Sequence, residues 1–236
     1  MAQDYLVHII AHIYNDYSGK FGIPRQSGLV DGMDSVIVFE PEYRDISALR
    51  GLEQYSHLWL LWQFSEVVKN RRDPDEWSPT VRPPKLGGNT RMGVFATRSP
   101  NRPNPIGLSS VRLLGVDTDT DLGPVIHVAG ADLMNGTPII DIKPYLPYTD
   151  AHPEASGGFA LQQKEGTLEV IIPEALLDDI PADKREVLTE VLAQDPRPSY
   201  QNVPDRMYYM PFGEMEIGFT VENEVLTVRQ IQVIRK

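Results

Sequence analysis

Arg98 and Arg102 stand four residues apart in the run Arg98-Ser-Pro-Asn-Arg-Pro-Asn-Pro-Ile-Gly107. Pro100, Pro103 and Pro105 stiffen this loop, so a guanidinium mounted on it loses little freedom when it meets an anion. The wider segment from Val81 to Arg112 carries Arg82, Lys85, Arg91, Arg98, Arg102 and Arg112 and no acid. Six positive charges within 32 residues, in a chain of formal charge −11, mark a local anion site. Three further segments share this Gly, Pro and Asn texture. Phe21 to Leu29 contains Gln26, Ser27 and Gly28, and a glycine there lets backbone N–H groups approach a ligand. Asp132-Leu-Met-Asn-Gly-Thr137 reads as a turn between strands. Asp141 to Asp150 puts an acid, a base and two aromatics, Asp141, Lys143, Tyr145 and Tyr148, on one proline-stiffened exit. Stiff, polar-tipped loops at strand ends are common places for sites. Each residue also has a plainer reading. Arg98 can serve an ion pair, Asp132 an Asx turn, Asp141 a strand-end pair with Lys143, and the two tyrosines packing. Trp59, Trp62 and Phe64 read as barrel core.

Much chemistry is excluded. The 236 residues contain no cysteine, which removes disulfides, thiolate metal sites and a Cys nucleophile. No Gly-x-Gly-x-x-Gly follows a strand, and no Walker loop, His-Glu-x-x-His or Gly-x-Ser-x-Gly is present. His8 and His12 lack a third ligand nearby in sequence, so no metal is expected. No leader and no membrane span is expected, and the reading is a cytoplasmic protein. The acidic balance disfavours a barrel that holds nucleic acid by bulk charge.

The elements that must position these loops are mostly short strands. Tyr5 to Ile13, Val36 to Phe39, His57 to Phe64, Met92 to Thr97, Leu108 to Val116, Val125 to Ala129 and Ile139 to Ile142 are apolar, β-branched or aromatic runs between Gly and Pro. Seven such runs with little helix predict a closed or nearly closed barrel over residues 1–155. Tyr43 to Leu49 predicts a short helix. A polar, punctuated stretch from Tyr148 to Gly158 reads as a linker. Residues 156–236 then predict a small α+β domain. It has a strand at Thr167 to Ile172 and a helix from Pro181 to Ala193 with Val187, Leu188, Val191 and Leu192 on one face. A strand at Met207 to Met210 precedes a hairpin turning at Glu222 to Glu224. The turn Gln194 to Tyr200 offers Arg197 and Tyr200 to a substrate.

Several contiguous motifs carry a resemblance. Gly51-Leu-Glu-Gln-Tyr-Ser-His-Leu-Trp59, Val81-Arg-Pro-Pro-Lys-Leu-Gly-Gly-Asn89, Gly93-Val-Phe-Ala-Thr-Arg-Ser-Pro100, Arg102-Pro-Asn-Pro-Ile-Gly107 and Asp141-Ile-Lys-Pro-Tyr145 are similar to the TsaA-like β-barrel family, in its branch of bacterial tRNA adenine-N6 methyltransferases. Val191 to Tyr200 resembles a segment of that branch's small C-terminal domain. The resemblance implies S-adenosylmethionine as methyl donor, a threonylcarbamoyl-modified adenosine beside the tRNA anticodon as acceptor, and homodimers. By motif it implies donor contacts at Gln26, Ser27, Gly28, Ser65, Glu66, Arg98, Leu108, Asp132, Leu133, Met134, Asn135 and Gly136. The acceptor nitrogen is a poor nucleophile until its proton leaves, and Asp141 or Asp132 is the expected base. Arg102 with Lys143 is expected to hold the acceptor's carboxylate, with Tyr145 and Arg197 as further substrate contacts. The C-terminal domain is expected to assist tRNA docking and not donor binding. The rival reading is a donor-binding sensor or adaptor that does no chemistry.

Overall fold

The structure is a computed structural model that describes residues 5–71, 77–83, 86, 88–161, 167–197, 203 and 206–234. Lys85 of the basic run and Tyr200 of the C-terminal turn lie outside the described residues. The first half runs β1 (Ala11–Tyr14), β2 (Asp34–Phe39), β3 (His57–Gln63), α1 (Ser65–Asn70), β4 (Thr80–Val81), β5 (Met92–Gly93), β6 (Ile106–Asp117), β7 (Val125–Ala129), β8 (Thr137–Pro144) and α2 (Pro147–Asp150). Six of these strands close a barrel in the order β1-β2-β7-β6-β3-β8, every pair antiparallel. The sequence alternation sets the faces. Leu58, Leu60 and Trp62 of β3 point inward, against Ile13, Ile37, Val111, Ile126 and Ile139.

Two strand expectations and one helix expectation change. The run from Tyr5 pairs only from Ala11, because β2 ends opposite Ala11 at Phe39 and β8 passes to β3 beyond Ile139. Ile10 still donates its N–H to the Ile139 carbonyl and accepts from the Glu40 N–H, and before it Tyr5, Leu6 and Val7 are exposed. Met92 to Thr97 is two residues of strand followed by a 3-10 turn at Val94–Ala96, and the short helix at Tyr43 to Leu49 is two 3-10 turns, Pro41–Tyr43 and Ile46–Leu49.

The second half runs β9 (Glu169–Ile171), α3 (Glu174–Leu177), α4 (Arg185–Ala193), β10 (Tyr208–Phe212), β11 (Met215–Glu222) and β12 (Val225–Val233). Its sheet has the order β10-β11-β12-β9, with β9 parallel to β12. The β11–β12 hairpin turns through Asn223 (φ 49°) and Glu224 (φ 66°), the left-handed pair that matches strand twist. On the sheet lies α4, through Val187, Leu188, Val191 and Leu192.

This second core is completed by the barrel. The β1–β2 connection contributes Tyr17, Val30 and Met33, all buried among the C-terminal residues. Lys184 Nζ donates to Asp16 Oδ1 at 2.7 Å, Gly213 N–H to the Asp16 carbonyl at 2.7 Å, and Gly32 N–H to Glu190 Oε2 at 3.1 Å. A Cβ at Gly22, where φ is +90°, would sit 2.3 Å from the sulfur of Met210 on β10. One at Gly19 would sit 2.7 Å from Pro211. Both glycines let the connection lie against the C-terminal sheet. A cut at residue 155 therefore does not separate the barrel's loops from the C-terminal core. No helix among the described residues is long and apolar enough to cross a membrane.

Candidate active site

The mouth of the barrel at the end of β3 opens into a cavity of about 400 Å³. Four separate stretches of chain wall it. The β1–β2 connection supplies Lys20, Ile23, Pro24, Arg25 and Gln26, and the β3–α1 junction supplies Trp62 to Val67. The loop into β6 supplies Arg98, Arg102, Ile106, Gly107 and Leu108, and the β7–β8 turn supplies Asp132, Met134 and Thr137. Apolar surface at Ile106 and Leu108 stays exposed, at 40% and 55%.

Backbone stitches hold these stretches together. Gly28 (φ +76°) donates its N–H to the Gly130 carbonyl at 2.9 Å. Asn15 N–H donates to Asn135 Oδ1 at 3.0 Å, Asn135 N–H to the Tyr17 carbonyl at 2.9 Å, and Asn15 Nδ2 to the Leu133 carbonyl at 3.0 Å. On the other side Arg71 donates to the carbonyls of Arg102 and Pro103, which ties the proline loop to the end of α1. Arg98 donates to Gln26 Oε1, so its guanidinium is aimed by the facing loop.

Asp132 is the partly buried acid of the cavity. Its Oδ1 accepts from Ser109 Oγ, which in turn accepts from Trp62 Nε1 at 2.9 Å. The indole can only donate, so it forces the serine to spend its single proton on Asp132. Gly107 makes room for that indole, since a Cβ there would lie 2.2 Å from Trp62 Cε2. Burial pushes the Asp132 carboxyl above the usual carboxylate range. The Ser109 hydroxyl, backbone N–H groups including that of Ser27, and the charge of Arg98 pull it down without cancelling the burial.

The expected site residues divide accordingly. Gln26, Ser65, Glu66, Arg98, Arg102, Leu108, Asp132 and Met134 line the cavity. Ser27, Gly28, Asn135 and Gly136 belong to the stitched loops behind it, and Leu133 is buried in the barrel core. Asp141 and Lys143 do not line it. They pair with each other at 2.8 Å on the barrel's outer face, opposite the inward-facing Leu60 and Ile142. Tyr145 packs on Trp59 and His57 at the other end of β3, whose first residue is six residues or roughly 20 Å from Gln63. Trp59 is outside the barrel, its Nε1 donating to Asp150 at 2.7 Å, while Trp62 is both core and cavity wall. Arg197 lies in a neighbouring cleft.

Comparison with known proteins fits this architecture. The model of the tRNA-methyltransferase O N-terminal domain matches residues 12–151, and that of the TrmO C-terminal domain matches residues 165–234. The chain belongs to the tRNA-methyltransferase O family. A tRNA (adenine(37)-N6)-methyltransferase of Escherichia coli K12 is 42% identical over 198 residues, covering 81% of this chain and 82% of that one. A Pseudomonas aeruginosa protein with the provisional name S-adenosylmethionine-dependent methyltransferase RcsF is 38% identical over 215 residues, 88% and 89% of the two chains. The crystal structure of TrmO from Pseudomonas aeruginosa superposes with a TM-score of 0.77 at 30% identity over 99% of both chains.

Within this tRNA-methyltransferase O fold, several cavity residues escaped the sequence reading. Arg25 lies within the Phe21 to Leu29 segment, whose expected donor contacts are Gln26, Ser27 and Gly28, and Lys20 lies just before it. Trp62 was assigned wholly to the core. Ser109 sits in β6 with no local mark, and only its hydrogen-bond partners from β3 and the β7–β8 turn single it out.

Proposed function

We propose that this cavity holds S-adenosylmethionine and that the chain transfers its methyl group to N6 of a threonylcarbamoyl-modified adenosine beside the tRNA anticodon. The observation that carries the reading is the cavity's composition: the partly buried carboxylate of Asp132, the guanidinium groups of Arg25, Arg98 and Arg102, and apolar side chains, brought together from four chain segments. These residues fit the donor. Arg98, aimed by Gln26, suits a carboxylate, and Ile106, Leu108 and Met134 suit an adenine face. When bound, the donor supplies a methyl group activated on a sulfonium. The chain must strip a proton from the acceptor nitrogen, and Asp132 is placed to take it. Its raised affinity for protons makes it a stronger base than an exposed carboxylate. Ser109 and Trp62 hold Oδ1, which fixes the carboxylate's orientation. Arg102 faces the same cavity and suits the acceptor's carboxylate. Asp141 and Lys143, spent on one another outside the barrel, are not part of this arrangement. A tRNA substrate supports a cytoplasmic protein, and the family resemblance supports a homodimer.

The test is label transfer from S-adenosylmethionine to tRNA with and without the threonylcarbamoyl group. Transfer to the modified tRNA alone is expected. Donor binding with no transfer to either would favour a sensor.

A further inference from the structure

A second cleft, of about 180 Å³, adjoins the first. The two share Lys20, Ile23, Pro24 and Arg25, so this stretch is a ridge between them. On the far side the cleft is walled by the end of α4 and the turn after it, including Gln194 and Arg197. That turn is built with strain. Asp195 holds φ +52°, a left-handed conformation uncommon for a non-glycine residue. Its carboxylate is gripped by Arg197 Nε at 2.7 Å and Nη2 at 2.8 Å, a two-pronged contact that fixes both side chains against the wall. Among the described residues neither Lys20 nor Arg25 has a carboxylate within salt-bridge distance. Lys20 Nζ instead lies 5.4 Å from the ring of Phe21, which is 42% exposed.

In a chain of net charge −11, Lys20 and Arg25 put two cations on a ridge beside the candidate catalytic cavity. A polyanion whose target base enters the first cavity has its neighbouring phosphates within reach of that ridge. We infer that the second cleft binds the phosphodiester of a nucleotide flanking the methylated adenosine, with Lys20 and Arg25 as its cations. The inference rests on the RNA substrate of the preceding section. It gives the C-terminal unit a definite part, that of the outer wall of a backbone-phosphate subsite.

Gln194 offers a clean test, because it lines the second cleft and not the first. Gln194→Glu places a negative charge there, and Gln194→Lys a positive one. The probe is an anticodon stem-loop RNA carrying the modified adenosine, with full-length protein. Gln194→Glu should weaken RNA binding by roughly three- to tenfold, and Gln194→Lys should tighten it. Donor affinity by calorimetry should not move in either variant. Lys20→Gln should make the plot of log affinity against log salt shallower by about 0.7, one single-strand phosphate contact. RNA affinity that ignores both Gln194 charges, or a salt slope unchanged in Lys20→Gln, overturns the subsite. A wild-type protein that binds no stem-loop at all would instead overturn the functional reading beneath it.

Discussion

Replacing Gly22 by alanine tests whether the C-terminal sheet mounts the wall of the cavity. The new methyl would sit 2.3 Å from Met210 Sδ and 2.8 Å from Met210 Cγ, and all three nearest atoms belong to that one side chain. Met210 is only 1% exposed, so it cannot swing into solvent. The clash is overpacking of a core, worth roughly 1–3 kcal/mol. A left-handed φ for an L-residue adds roughly 1–2 kcal/mol. The total of roughly 2–5 kcal/mol is a large part of the roughly 5–15 kcal/mol that holds a domain folded. Relief by lifting the 19–26 stretch withdraws Ile23, Pro24 and Gln26 from the cavity. Gly22→Ala should therefore lower stability in urea and weaken S-adenosylmethionine binding together. In a Met210→Ala background the clash is gone and only the backbone term remains. The double-mutant cycle should show coupling of roughly 1–3 kcal/mol, with donor affinity partly restored by the second substitution. Additivity within about 0.5 kcal/mol, or unaltered donor binding in a destabilised Gly22→Ala protein, would refute the mount.

Three further outcomes follow from the Asp132 network. Ser109→Ala removes a hydrogen bond that lowers the Asp132 pKa, leaving the Ser27 N–H and Arg98 as its stabilising partners, so the acid limb of kcat/KM should move to higher pH, read from the pH–rate profile. Gly107→Ala should drive the Trp62 indole off its hydrogen bond to Ser109, seen as a change in tryptophan fluorescence and a loss of at least about 1 kcal/mol by denaturation. Asp132→Asn should raise Tm at neutral pH, because it removes a charge that burial disfavours. The sign follows from linkage. An acid whose folded pKa is raised binds protons more tightly in the folded state, so the wild type gains stability as pH falls through that pKa, and the Asn variant lacks this gain.

Much of the barrel could be read from alternation alone. His57 to Gln63 alternates between inward Leu58, Leu60 and Trp62 and outward partners, and the first half of β6 and the start of β8 follow the same rule, while β7 is buried on either side of His127. Alternation does not say how far a strand finds a partner, and this is why the Tyr5 run stops short of its sequence length. Nor does it say which face is inside, so Trp59 and Trp62, three apart and both aromatic, were given one role and have two. The loops at the cavity carried a local signal in Gly, Pro and Asn. Asp141 and Lys143 carried a similar signal yet satisfy each other on the outer face. The ties that shape the site are invisible locally. Gly22 meets Met210, Asp16 meets Lys184, and Ser109 meets both Trp62 and Asp132 across tens to hundreds of residues.

Asp132 is the base proposed to take the acceptor's proton. The decisive measurement pairs calorimetric binding of S-adenosylmethionine with single-turnover methyl transfer to threonylcarbamoyl-modified stem-loop RNA, for wild type and Asp132→Asn. Asparagine keeps the shape and can still accept from Ser109, but it cannot take a proton. Donor affinity should hold within about threefold while transfer falls by roughly a hundredfold or more, the scale of a lost general base. Transfer at the wild-type rate by Asp132→Asn, with the donor bound, would contradict the assignment.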